Sequence, residues 1–132
     1  MSSRFKNWEK PKIIEGKLTK WNWMVQGVKN LDLGKNVDIG AFTYINAQNG
    51  VEIHDFVQIG GHCAIHTKNT IDEIYGKIII KEKARIGAHS TIMPNVTIGK
   101  NALIGAYSFV NKDIPDNSIA YGVPVKIIKK LK

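Results

Sequence analysis

Four histidines, His54, His62, His66 and His89, are the residues best equipped to move a proton near neutral pH. Imidazole is the side chain whose ordinary pKa falls between about pH 5 and 8. Asp72 and Glu73 follow His66 closely and could grip an amine or hydroxyls, although charged loop residues are more often simply solvated. The lone Cys63 has no disulfide partner and reads as core packing rather than as a nucleophile. Lys126, Lys129, Lys130 and Lys132 crowd the end of the chain and could meet phosphate, or form a solvated tail. What these groups can do depends on which of them the fold brings together.

The chain has 132 residues, one domain's worth, with 19 Lys plus Arg against 11 Asp plus Glu. Residues 1–20 hold six basic and two acidic residues, residues 126–132 hold four lysines, and residues 21–125 hold nine of each sign. A neutral body with basic ends is not the basic face of a duplex-binding domain, so no nucleic-acid partner is expected. No run of 18 apolar residues spans a membrane, and the first ten residues lack the apolar stretch of a secretory signal. A soluble, cytoplasmic protein is the expectation. The 20 Ile and 9 Val against 5 Leu favour strands and exclude an all-helical fold.

A six-residue repeat organises these residues. Ile80, Ile86, Ile92, Ile98, Ile104 and Val110 recur every six positions, and upstream Leu33, Ile39, Ile45, Ile53, Ile59 and Ile65 keep the frame with two residues inserted after Ile45. A second, mostly small residue follows four places on: Val37, Thr43, Asn49, Val57, Cys63, Ala84, Ser90, Val96, Ala102 and Ser108. An alternation that resets every six residues predicts short strands joined by bends, with both slots facing inward. Three strands close one triangular coil, and coils stack as parallel strands about 4.8 Å apart. The expected organisation is an N-terminal cap over 1–32, about four coils over 33–113 with a loop at 66–79, and a C-terminal cap over 114–132.

Taking every third hexad sorts them by face and predicts a charged face and an uncharged one. The charged set begins at 33, 53, 80 and 98 and carries His54, which reads as surface. The uncharged set is Ile39–Tyr44, Ile59–Ala64, Ile86–Thr91 and Ile104–Phe109, always with Gly in its second place. Its third place is Ala or Gly and its fourth is Phe42, His62, His89 and Tyr107. Stacking predicts a column of exposed backbone on which an extended ligand could lie. Beside it should run a ladder of rings, with His62 and His89 about 5 Å apart.

The repeat, together with Asn111-Lys112-Asp113-Ile114-Pro115 and Gly122-Val123-Pro124-Val125-Lys126-Ile127-Ile128, resembles the hexapeptide-repeat acyltransferases, in particular their short sugar acetyltransferases. The resemblance implies an all-β, left-handed parallel β-helix and a homotrimer with active sites between subunits. It implies acetyl-CoA as donor, no metal, and a sugar acceptor, with a nucleotide-linked amino sugar for surface polysaccharide as one candidate. Transfer then needs a base for the acceptor and a donor for the oxyanion. His62 is the first choice of base and His66 the second. Relatives commonly place a catalytic His near the positions of Asn69 and Thr70, where this chain has none. Donor binding falls by resemblance on Gly87, Ala88, Ala106, Asn111, Lys112, Lys126 and Lys129, and acceptor binding on His89, Asn69 and Asp72.

Two other functions compete. The γ-class carbonic anhydrases share this fold and bind zinc through three His, which His62, His66 and His89 invite. Those enzymes space two ligands five apart, whereas His62 and His66 are four apart, and they lack the basic ending. A non-catalytic trimeric repeat protein is the third reading. Trp21 and Trp23 read as cap residues before they read as a platform for a sugar.

Overall fold

A computed structural model describes residues 5–131. Its parallel strands stack into three sheets around one core. Sheet I holds β1 (Met24–Gln26), β4 (Tyr44–Asn46), β7 (Ala64–His66), β12 (Thr91–Ile92) and β15 (Phe109–Val110). Sheet II holds β2 (Leu31–Leu33), β5 (Val51–Ile53), β10 (Ile78–Ile80) and β13 (Thr97–Ile98). Sheet III holds β3 (Asp38–Ile39), β6 (Gln58–Ile59), β11 (Arg85–Ile86), β14 (Leu103–Ile104) and β16 (Ser118–Tyr121), with β17 (Lys126–Lys130) added antiparallel at its edge. The chain visits the sheets in turn, so each circuit is one coil of a parallel β-helix.

The hexad aliphatics become vertical stacks. Val25, Ile45, Ile65, Ile92 and Val110 are successive partners in sheet I. Ile39, Ile59, Ile86 and Ile104 do the same in sheet III, and Leu33, Ile53, Ile80 and Ile98 in sheet II. β-Branched side chains suit this interior because their χ1 is already restricted on a pleated strand. Each buried Ile contributes roughly 1.5–3 kcal/mol of transfer free energy. The small slots lie inside as well: Ala84, Ser90, Val96, Ala102 and Ser108 are all buried.

Three local differences from the hexad reading have physical causes. Asn49 is exposed and donates through its Nδ2 to the Thr67 carbonyl, while Ala47, Val51 and Ile53 take the inward positions. The two inserted residues lengthen that corner instead of shifting the strand. Ile78 and Ile80 are both buried in β10, with Ile78 paired to Val51, so the departure from the helix ends before 78. Between β7 and β10 the chain forms a small antiparallel hairpin, β8 (Lys68–Asn69) with β9 (Ile74–Tyr75). Finally, β1 pairs in parallel with β4, so stacked strand structure already begins at Met24.

The open end of the first coil is covered. Trp23 is buried, Ile13 packs on the core, and Phe5 meets Phe56 edge to face at 5.7 Å. The Glu15 carboxylate accepts from the Gly27 and Val28 N–H groups, which holds its pKa below the usual carboxylate range. Among the described residues no helix is long and apolar enough to cross a membrane.

Candidate active site

The uncharged hexads do not lie along a face. Their aliphatics end the strands of sheet III, and the Gly-Ala-ring triplets that follow form the corner between sheets III and I. The glycines of that corner serve the stack rather than a groove. A Cβ on Gly40 would lie 2.3 Å from the Gly61 nitrogen, one on Gly60 2.6 Å from the Ala88 nitrogen, and one on Gly87 2.4 Å from the Ala106 nitrogen. Each glycine slot is filled by the next coil's backbone, which corrects the expectation that this column stays open.

The outer surface of the corner is the third place of the hexad. The carbonyls of Ala41, Gly61 and Ala88 accept from the N–H groups of His62, His89 and Tyr107 at 2.9, 3.0 and 2.9 Å. Among the described residues, the N–H groups of Ala41, Gly61, Ala88 and Ala106 have no bonded acceptor. The corner between sheets II and III treats the same position differently. There the Lys35 N–H donates to Asp55 Oδ1 and the Lys100 N–H to Asp116 Oδ1, both at 2.8 Å. The III–I corner has only Ala or Gly at the place of those aspartates, so nothing caps its row of donors.

The ring ladder forms as expected. His62 stacks on His89 at 4.8 Å with a 3° interplanar angle, His89 stacks on Tyr107 at 4.7 Å, and Phe42 tilts onto His62 at 5.4 Å. All four residues adopt left-handed backbone conformations, φ 63, 56, 62 and 61. That conformation costs a side-chain-bearing residue roughly 1–2 kcal/mol. The equivalent places of the II–III corner hold Asn36, Asn101 and Asn117, from the residue class that tolerates it best, together with Phe56 and Lys83. Parallel rings keep their in-plane nitrogen lone pairs in parallel planes. His62 and His89 therefore do not converge on one ion, and among the described residues no group of three His, Cys, Asp or Glu could hold a metal.

The remaining candidates divide between the two edges of sheet I. His66 ends β7 at the I–II corner, at the far end of that strand from His62, which sits in the turn before it. It faces Asn46 across the ladder and lies 5.8 Å from the Tyr44 ring. Burial lowers its pKa, so its imidazole is neutral and able to accept a proton at neutral pH. Asn69 and Asp72 shape the hairpin: Asn69 Nδ2 donates to Asp72 Oδ2 at 3.2 Å, and Asn69 Oδ1 accepts from the Ile71 N–H. Asn111 and Lys112 follow β15 and also stand at the I–II corner, exposed. One chain therefore does not join them to Gly87, Ala88, His89 and Ala106.

At the C-terminal end, Tyr121 lies over Gly105, where a glycine Cβ would meet Tyr121 Cβ at 2.8 Å. Lys126 pairs with Tyr121 and so stands near that end of the III–I corner, while Lys129 pairs with Ile119 further along β16. Lys130 donates to the Asp116 carbonyl, and Lys132 lies outside the described residues. Cys63 is buried, its Sγ 3.3 Å from the Gly87 carbonyl, and burial pushes its thiol pKa up. His54 meets Glu52 at 3.3 Å on the charged surface.

Sequence reasoning missed two features. Thr67 is fully buried and pins the base of the hairpin, donating to the Asn46 carbonyl at 2.9 Å and accepting from the Asn49 N–H. The uncapped donor row was also missed. Its signal was present as Asp55 and Asp116 in one set of hexads against Gly61, Ala88 and Ala106 in the other.

The uncharged III–I corner, with its open backbone donors and stacked imidazoles, is the candidate site of this hexapeptide-built β-helix. Residues 77–112 match the family model described as "Bacterial transferase hexapeptide (six repeats)". The chain is 34% identical over 113 residues to a galactoside O-acetyltransferase of Lactococcus lactis, covering 74% of this chain and 55% of that protein. It superposes with a TM-score of 0.78 on a maltose O-acetyltransferase from Clostridium difficile 630, at 29% identity over 84% of this chain and 64% of the other. AntD, an N-acyltransferase from Bacillus cereus in complex with dTDP and 3-hydroxybutyryl-CoA, matches with a TM-score of 0.72 at 27% identity over 87% and 79%. The chain carries the hexapeptide repeat of that transferase family and shares the left-handed β-helix of these structures. It spans little more than half the length of curated relatives such as the Lactococcus enzyme.

Proposed function

We propose that the protein transfers an acetyl group from acetyl-CoA to a hydroxyl or amine of a sugar. The observation that carries this reading is the row of unbonded N–H groups on Ala41, Gly61, Ala88 and Ala106 beside the His62–His89–Tyr107 stack. Those donors suit a chain of amides, and the pantetheine arm is one. Lys126 near the far end of the row offers a cation for phosphate, with Lys129 further along the same strand. Acetyl-CoA supplies the acetyl group as an activated thioester. The C. difficile and L. lactis relatives are named as sugar O-acetyltransferases, and AntD was solved with an acyl-CoA and dTDP, which supports donor and acceptor classes together.

In this reading a His62 ring nitrogen takes the proton from the acceptor hydroxyl or amine as it attacks. The open N–H groups at the corner offer hydrogen bonds to the developing oxyanion, as fixed backbone donors do elsewhere. His66, Asn111 and Lys112 sit across sheet I from this centre. The outer face of sheet I, including Met24, Tyr44, Ala64, Thr91 and Phe109, carries no Asp, Glu, Lys or Arg, whereas sheet II presents Asp32 and Glu52 and sheet III Asp38 and Arg85. A ring of three copies about the sheet I faces would bring one copy's III–I corner to its neighbour's I–II corner. Each site would then be completed between subunits. A protein of this kind serves the modification of surface polysaccharide precursors in the cytoplasm.

The test is thiol release from acetyl-CoA against simple sugars and nucleotide-linked amino sugars. His62→Ala is expected to lower kcat by about 100-fold or more, the usual worth of a positioned base. Full activity in both His62→Ala and His66→Ala would replace this mechanism with one in which the substrate amine serves as its own base. No CoA binding by calorimetry would remove the transferase reading.

A further inference from the structure

A cleft of about 320 Å³ opens under the N-terminal segment against the start of sheet III. That size is at the small end of ligand pockets, which run from about 300 to 1,000 Å³. Trp8, Trp21 and Trp23 line it. Trp23 is buried and fixes the floor, whereas Trp21 remains 37% exposed. Trp8 donates its indole N–H to the Val37 carbonyl at 2.8 Å, so what it offers a ligand is its ring. Polar groups complete the wall: Glu9, paired with Lys20, and the half-buried Asp38. The Lys20 Nζ lies over the Trp21 ring, 5.1 Å from its centroid.

This cleft continues the corner described above. The Asn22 carbonyl accepts from the Phe42 N–H, so Trp21-Asn22-Trp23 forms the layer stacked on Phe42. It stands two layers from His62, about 10 Å at the strand spacing. Of the groups assigned to the donor, Ala88, Ala106 and Lys126 lie on the opposite, C-terminal side of His62. Aromatic walls with two carboxylates match the apolar C–H faces and the hydroxyls of a pyranose, since carboxylates are pure acceptors.

We propose that this cleft binds an uncharged sugar ring, the distal part of an oligosaccharide acceptor whose reacting group lies at His62. The proposal rests on the sugar-acceptor reading above and adds the acceptor's length and the side from which it enters. Rings one and three of a linear trisaccharide are roughly one such span apart.

The experiment is a titration of tryptophan emission and a parallel calorimetric titration on the full chain without acetyl-CoA. The probes are maltotriose, cellotriose, glucose and dTDP. The expected result is saturable binding of at least one trisaccharide, at least fivefold tighter than glucose. Trp21→Ala should weaken it tenfold or more, and Trp21→Phe should restore most of the loss. No saturable binding of either trisaccharide, or equal affinity in Trp21→Ala, overturns the proposal. So does dTDP binding that is tighter than both sugars and lost in Trp21→Ala, because that places a nucleotide in the cleft. Thiol release with monosaccharides that ignores Trp21 overturns the cleft and leaves the transferase standing. Trisaccharide binding that depends on Trp21 in a protein that binds no CoA supports the cleft's sugar site and sinks the transferase.

Discussion

The III–I and II–III corners are built to one geometric plan and carry opposite chemistry. Both turn the chain with a left-handed residue in each coil. At the II–III corner the glycine slot holds His54 and Lys81 in two coils and Gly34 and Gly99 in two others, and Asp55 and Asp116 close the N–H groups of the coil before. At the III–I corner the slot is Gly in four coils, the capping place is Ala or Gly, and the left-handed places hold rings. Among the described residues, the first corner closes two of its N–H groups, those of Lys35 and Lys100, and leaves those of Asp55 and Glu82 without a bonded acceptor. The second leaves donors outward and carries a strained ladder beside them. Left-handed residues and unmet donors occur at both corners; only the second adds an uncharged surface that carries stacked imidazoles.

The comparison breaks most visibly at the glycines. Gly87→Ala places a Cβ 2.4 Å from the backbone nitrogen of Ala106, where only backbone can give way. The expected loss is about 3 kcal/mol, read from the urea midpoint, whereas Lys81→Ala in the equivalent slot stays within about 0.5 kcal/mol. Equal effects would mean that the two corners do not differ in close approach.

An intermediate effect follows from exchanging the caps. Ala106→Asn supplies a side-chain acceptor for the Ala88 N–H in the manner of Asp116 over Lys100. CoA binding by calorimetry is expected to weaken at least tenfold, with no fall in Tm. The reverse change, Asp116→Ala, uncaps the Lys100 N–H and should lower stability by about 1 kcal/mol without touching CoA affinity. Unchanged CoA binding in Ala106→Asn would show that the open donors are not used.

The smallest effect separates the two edges of sheet I by pH. Burial holds the His66 pKa below its ordinary value of 6.5. The unfolded chain therefore takes up a proton first as pH falls, and His66's contribution to stability is complete above about pH 6.5 and lost below it. Tm measured from about pH 7.5 to pH 5 should fall more steeply in the native protein than in His66→Gln. Parallel curves would place His66 in contact with solvent.

Much of this was legible in the residues alone. The spacing from Ile80 to Val110 becomes the three aliphatic stacks, and the alternation of Phe42, His62, His89 and Tyr107 becomes the ring ladder. Both follow from periodicity, because a fixed coil length turns a sequence period into a spatial column. The hairpin bounds and the inward place of Ala47 were not legible, since inserted residues break the period there. Nor was the division of the candidates: His62 and His66 look adjacent at four residues apart, yet a strand carries them to opposite edges of a sheet.

The hexad by itself determined the β-helix, its core and the uncharged character of one stack, because burial and period are properties of residue order. Only the tertiary structure decided which backbone donors stay open. A donor's state depends on whether the next coil, some twenty residues away in sequence, brings an aspartate or an alanine above it. The same holds for the cleft, where Trp8, Trp21 and Asp38 meet across three separate segments of the chain.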